Sequence, residues 1–256
     1  MPSPQQSLAT YDDLANRVVV ITGGANGIGE AMVRRFVDQD ARVHFCDVDS
    51  DAGKRLQLET NKRARFSAVD LTKEKPLRNW IDRIGKQAGR IDVLVNSAAR
   101  DPRIALGQMT MNQWDEIIAL NLRAFVIAVQ QAVDLMPDKG GSIINFSSIT
   151  HHLSPAEMTA YVATKSGIIG LTRSLARELG PRHIRVNTLS PGWIMTDRQL
   201  EQFVTPKVKR MLKTQQCIPD LIKPSEIADV ALFLASNASA AITGQELLAD
   251  RGWAHH

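Results

Sequence analysis

Residues 17–29 read RVVVITGGANGIG. RVVVIT (17–22) is a short apolar run bounded by glycines, the pattern of a buried strand. The helix that follows, 28–39, places Ile28, Met32, Val33, Phe36 and Val37 on one stripe. Gly23, Gly24, Gly27 and Gly29 therefore fall in a strand-to-helix turn. There the backbone can approach a pyrophosphate closely, and a helix N-terminus offers unpaired N–H groups and a positive dipole end. The spacing is not Gly-x-Gly-x-x-Gly, and tight turns need glycine for their own sake. No Gly-Lys-Ser/Thr follows, which argues against a P-loop.

Outward from this turn the strand–helix alternation continues almost to the end. Strands are expected at 42–48, 65–71, 91–99, 142–148, 184–192 and 244–250. Helices are expected at 51–62, 76–89, 111–136, 158–180 and 225–236. Such alternation argues for a parallel sheet covered on both faces. No repeat or linker divides the chain, so residues 16–256 form one domain after an N-terminal extension at 1–15. Residues 193–223 show no single element and are expected to form a substrate loop or lid.

The 256 residues include 44% hydrophobic and 23% charged residues, with a net charge of +4. That is ordinary for a globular enzyme-sized domain. No dense basic block suggests nucleic acid. No apolar run approaches the roughly eighteen residues of a membrane span, and the N-terminus lacks the pattern of a secretion signal. Cys46 and Cys217 have no Cys or His neighbour at ligand spacing, and are read as two reduced thiols of a cytoplasmic protein. His151 and His152 are adjacent and should point apart, so no metal site is expected. His255 and His256 are expected to be disordered or an appended remnant.

Asp47 ends the second strand. An acid there can bind two ribose hydroxyls and repel a 2′-phosphate, which favours NAD over NADP; an ordinary solvated Asp is the alternative. Asp70 and Leu71 follow the third strand, where a side chain could meet the adenine edge, and Asn96 closes the fourth beside the same crevice. Tyr161 and Lys165 are four residues apart in a helix, hence on one face. A cation beside a phenol favours its ionised form, which could take a proton from an alcohol. Ser148 ends the fifth strand, where its hydroxyl could hold the same substrate oxygen.

Together these residues resemble the short-chain dehydrogenase/reductase family over nearly the whole chain after residue 15. The matching pieces are Thr22-Gly-x-x-x-Gly-Ile-Gly29, Asp70, Asn96, Asn121, Ser148, Tyr161-x-x-x-Lys165, Asn187 and Pro191-Gly192 followed by Thr196. The resemblance implies a Rossmann-type doubly wound sheet of seven parallel strands with helices on both faces, assembled as a homotetramer. It implies Tyr161 as catalytic acid/base, Lys165 lowering its pKa and holding the nicotinamide ribose, Ser148 positioning the substrate oxygen, and Asn121 holding a water in a proton relay. The implied cofactor contacts are Gly23, Asn26, Gly27, Ile28, Gly29, Asp47, Asp70, Leu71, Asn96, Ala98, Tyr161, Lys165, Pro191, Gly192, Ile194 and Thr196.

NFSSITHHL (145–153), RDPRIAL (100–106), TDRQ (196–199) and DRGW (250–253) are similar to bacterial sugar dehydrogenases that oxidise aldopentoses such as xylose at C1. The expected reaction is hydride transfer from a sugar carbon to NAD⁺. Arg103, His152, Trp193 and Arg198 are the candidate substrate contacts, each of which could equally be solvated or packed. The alternatives are a carbonyl reductase of 3-oxoacyl, steroid or other ketones, and a non-catalytic NAD-binding protein. Two positions depart from the family pattern: Ala99 and Arg251 each stand where it has glycine.

Overall fold

The computed structural model describes residues 9–254; His255, His256 and the first eight residues of the expected extension lie outside them. Seven strands form one sheet in the order β3-β2-β1-β4-β5-β6-β7, every neighbouring pair parallel. They are β1 Val18–Thr22, β2 Arg42–Asp47, β3 Ala64–Ala68, β4 Val93–Asn96, β5 Gly141–Phe146, β6 Ile184–Pro191 and β7 Glu246–Ala249. The expected Rossmann-type sheet is therefore present.

Strand periodicity explains the two cores. Val19 and Ile21 of β1 face one layer, with Met32, Val33 and Phe36 of α1 (Gly27–Asp38) and Leu232 of α10 (Pro224–Ala235). Val18 and Val20 face the other. There they join Trp80 and Ile81 of α3 (Glu74–Ala88), Ile127 and Ala128 of α5 (Ala124–Ala132), and Leu179 of α7 (Thr159–Leu179). Successive side chains of a strand point to opposite faces, so a strand apolar throughout must be covered twice. The strand order reverses between β1 and β4, which opens a crevice at their carboxyl ends.

Four expectations change. The helix expected over 111–136 is α4 (Met111–Ile118), a π-helical turn (Ala119–Arg123) and α5, closed by a 3₁₀ turn. Met111–Leu135 is, contrary to the reading of the sequence, long and apolar enough to cross a membrane. It packs instead against the sheet through Ala124, Ile127, Ala128 and Ala132. The loop at 193–223 contains α8 (Asp197–Gln202) and α9 (Pro206–Gln215), each capped by a threonine: Thr196 accepts from Gln199 N and Thr205 from Val208 N. A bridge between Ile194 and Ile222 ties its two ends together. The extension also joins the domain earlier than expected, because Leu14 is fully buried in the core and Tyr11 N donates to Gln39 Oε1.

Candidate active site

A cleft of about 970 Å³ runs along the carboxyl ends of the strands. Its lining includes Gly23, Asn26, Gly27, Ile28, Gly29, Asp47, Asp70, Leu71, Ala98, Arg103, Ser148, Tyr161, Lys165, Pro191, Gly192, Trp193, Ile194, Thr196 and Arg198. The structure thus brings most of the sequence candidates to one surface. Asn96, Asn121 and His152 are not on it.

At one end the chain passes from β1 into α1. Gly23 N and Gly24 N both donate to Cys46 O, at 2.9 and 3.0 Å, so the turn is anchored to β2. Gly27 has φ +57°, which glycine adopts without strain. A Cβ on Gly29 would lie 1.9 Å from Gly23 O, so only glycine allows α1 to start this close to the strand end. Asn26, the N-cap, makes no capping bond; its amide donates to Asp49 Oδ2 at 3.1 Å. The first-turn N–H groups of α1 thus face the cleft, as a diphosphate requires. Asp47 lines the wall beyond, one oxygen accepting from Ala25 N at 3.1 Å and the other from Asp49 N at 3.2 Å. Asp70 is held by Thr72, whose hydroxyl and amide both donate to it and keep its carboxyl below the usual range. These residues fit a nicotinamide dinucleotide. Ala99 also lines the cleft; its φ is not positive, so its methyl group narrows the wall without straining the backbone.

At the other end, β5 delivers Ser147 and Ser148, and α7 delivers Tyr161 and Lys165. The Ser148 hydroxyl lies on the same stretch of cleft as the Tyr161 phenol, near enough to favour its ionised form. Lys165 is 2% exposed. Its ammonium donates to Phe146 O at 2.8 Å and lies 5.4 Å from the Tyr161 ring centroid. Ser147, which the sequence reading passed over, donates to Lys165 O at 2.8 Å and fixes α7 against β5.

Burial governs the electrostatics of this pair. Burial, then the charge of Asp101, push the Tyr161 phenol up, against the effect of the Ser148 hydroxyl. Burial in turn brings the Lys165 amine down to about 7, with Asp101 opposing. Burial therefore weakens the charged form of Lys165, and one of its N–H groups is bonded to Phe146 O. Asp101 was missed in the sequence because nothing in RDPRIAL marks it; its charge acts on both residues only through the fold.

Asn121 lies in the π-helical turn, the distortion of a helix that re-aims a side chain. Its Oδ1 accepts from Arg100 N at 3.0 Å and its Nδ2 donates to Arg100 O at 2.8 Å. It clamps the segment after β4 beside α7. Asn96 donates to Asn145, and Asn145 to Thr172, beneath the cleft floor.

The mouth is built by the 100–103 segment against the lid. Arg198 pairs with Asp101 at 2.7 Å, Arg103 sits 4.4 Å over the Phe203 ring, and Trp193 Nε1 donates to Gln199 at 2.8 Å. His152 does not join them. The adjacent histidines, expected to point apart, have ring centroids 3.7 Å apart, and both face Glu246. They sit in a short helical turn, α6 (Thr150–Leu153), where tertiary contact with β7 overrides sequence spacing.

A phosphate cradle at one end of a cleft and a hydroxyl–phenol–amine cluster at the other define an oxidoreductase that works with a nicotinamide cofactor. The chain belongs to the short-chain dehydrogenase/reductase family. Residues 23–254 match a family model described as enoyl-(acyl carrier protein) reductase. The chain is 39% identical to the "Probable galactose dehydrogenase GalD" of Rhizobium meliloti, covering 98% of both chains. It is 38% identical to a D-xylose 1-dehydrogenase of Caulobacter vibrioides, over 96% of this chain and 99% of that one. A blue fluorescent protein from a metagenomic library, solved in complex with NADPH, superposes with a TM-score of 0.88. It is 32% identical, over 95% of this chain and all of the other.

Proposed function

We propose that the protein oxidises an aldose at C1, with NAD⁺ as acceptor. The observation that carries this is the meeting of Ser148, Tyr161 and Lys165 on one stretch of the cleft, with the Lys165 amine 5.4 Å from the Tyr161 ring centroid. The sugar dehydrogenases matched over nearly their full length supply the substrate class. A polar mouth of Asp101, Arg103, Trp193 and Arg198 suits a polyhydroxylated molecule.

The bound nicotinamide ring supplies a hydride acceptor and a positive charge. Ser148 donates to the C1 oxygen and orients it toward Tyr161. The Tyr161 phenolate takes the hydroxyl proton as the C1–H bond breaks, and the C1–O bond becomes the carbonyl of a lactone. Lys165, in its charged form, favours the phenolate and passes the proton outward, with a water beside Asn121 as the next carrier. Such acid–base help contributes about 10²–10⁴ in rate. The Arg198–Asp101 pair at the mouth ties the lid to the 100–103 segment and limits water around the phenol in this reading.

NAD⁺ is preferred in this reading because the Asp47 carboxylate lies on the cleft wall, where it would repel a 2′-phosphate. The second reading, an NADPH-dependent carbonyl reductase, draws on the NADPH-bound structural relative and on Arg55, which lines the same wall. A homotetrameric, cytoplasmic enzyme completes the main reading, with light scattering as the check on assembly. NADH formation with a panel of aldoses, sugar acids and secondary alcohols tests it. Activity on aldoses with NAD⁺, abolished in Tyr161→Phe while NADH still binds, is the expected result. Ketone reduction with NADPH and no aldose oxidation would overturn it.

A further inference from the structure

We propose that His151, His152 and Glu246 form a binding site for one transition-metal ion of the zinc type, outside the cleft and against the backbone of Ser148. The three ligand atoms lie within 4.8 Å of one another. Glu246 Oε1 is 3.3 Å from His151 Nε2 and 3.1 Å from His152 Nε2. A tetrahedral zinc with ligands at ~2.0–2.1 Å has ligand–ligand edges of ~3.3–3.4 Å. Two edges of the triangle, at 3.3 and 3.1 Å, are already close to that length, so an ion could be received with little movement.

Outer contacts set the orientation. His151 Nδ1 lies 2.5 Å from Ser148 O. A carbonyl only accepts, so Nδ1 carries the hydrogen and the Nε2 lone pair of the neutral ring faces Glu246. Lone pairs 3.3 Å apart repel unless a cation or a proton lies between them. The second ring, stacked at 3.7 Å, presents its Nε2 to the same oxygen. His152 can donate to Glu246 as its neutral Nε2–H tautomer, but His151, with its one hydrogen on Nδ1, would need a second proton to do so, whereas one divalent ion serves both rings. Ser190 Oγ donates to Glu246 Oε1 at 2.6 Å, so the carboxylate is oriented as well. A carbonyl on the far nitrogen of a ligating histidine and a hydrogen bond to the ligating carboxylate are the usual outer contacts of a metal site.

The supporting elements are firm: Ser190 is on β6, Glu246 on β7, and the histidines follow β5 directly. The side chains of His151, His152 and Glu246 are 10%, 21% and 14% exposed, sheltered but reachable. Two imidazoles and one carboxylate, with a fourth position open, suit Zn²⁺ or Co²⁺ better than Mg²⁺ or Ca²⁺, which take oxygen sets. The ion would tie the turn after Ser148 to β7 without touching substrate or cofactor.

The test uses the full chain carrying His255→Ala and His256→Ala, so that terminal imidazoles do not bind the probe, after chelator treatment. Equilibrium dialysis against ZnCl₂ should show one ion per chain, and CoCl₂ should give the strong visible bands of tetrahedral cobalt. Zinc at ~100 times Kd should raise Tm by about 5–10 °C. His152→Gln and Glu246→Gln should each weaken binding at least tenfold. His152→Gln is decisive if Glu246→Gln unfolds, because His152 is the most exposed of the three. No stoichiometric uptake, or uptake undiminished in folded His152→Gln, would show a histidine–carboxylate ion-pair cluster and overturn the site. Binding is read without turnover, so the result is independent of the substrate.

Discussion

Gly29→Ala should separate cofactor binding from the rest of the fold. The added methyl group would lie 1.9 Å from Gly23 O, 2.9 Å from Gly23 C and 3.0 Å from Gly24 Cα, all backbone atoms. Gly23 and Gly24 cannot give way, because both amides are bonded to Cys46 O in the next strand. The first turn of α1 must therefore retreat by about an ångström or more, since interiors are close-packed. That retreat carries its N–H groups out of reach of a diphosphate, whose bonds to them span only ~2.7–2.9 Å. Hydrogen bonds to a charged group are worth about 1.5–3 kcal/mol each. Losing one or two should raise the Kd for NADH by about 10²-fold, roughly 2.7 kcal/mol. Overpacking should cost the fold about 1–3 kcal/mol. NADH fluorescence titration reads the first effect and urea unfolding the second. Gly170→Ala is the binding control, because its Cβ would meet nothing within 4 Å. A folded Gly29→Ala protein that binds NADH within threefold of the parent would refute the cradle.

Three further predictions follow from charge and burial. His44 is buried on β2 opposite Arg65, and burial first, then Arg65 and Arg42, bring its pKa down to about 4. The unfolded chain takes up a proton below about 6.5 and the folded one only near 4, so stability should fall by about 2 kcal/mol between those pH values. Urea unfolding of His44→Gln should lack that segment; an unchanged profile would exclude His44 as its source. Lys165→Met should abolish aldose oxidation and raise stability at pH 7 by about 1–2 kcal/mol, since the buried amine is held for chemistry at a cost to folding. A lower Tm would contradict this. Arg103→Ala, which strips the cation from the Phe203 ring, should raise the aldose KM about tenfold with kcat within threefold, a loss of about 1.4 kcal/mol of uniform binding. A change in kcat alone would remove Arg103 from the mouth.

Much of the fold was legible locally. The apolar runs Val18–Thr22 and Val93–Asn96 are strands because their side chains are buried on both faces, and the glycine turn after β1 follows from close approach. The π-helical turn was not legible, because residues 111–136 read as one continuous helix; only the clamp between Asn121 and the Arg100 backbone shows why the helix widens there. The two helices within the expected lid were not legible because α8 and α9 are short and mostly exposed, and short helices owe their stability to packing.

The residues of the candidate site divide the same way. Spacing in the sequence set Tyr161 and Lys165 on one helical face, and Gly23 to Gly29 in one turn, since both depend only on backbone geometry within a few residues. Tertiary structure alone decided their electrostatics. Burial raises Tyr161 and lowers Lys165, and Asp101 reaches both across the cleft. It also joined His152 to Glu246 from 94 residues away, which no local pattern encodes. Covalent spacing fixes which side chains share an element. Desolvation and charge pairing depend on which elements meet, and that is settled only when the chain has packed.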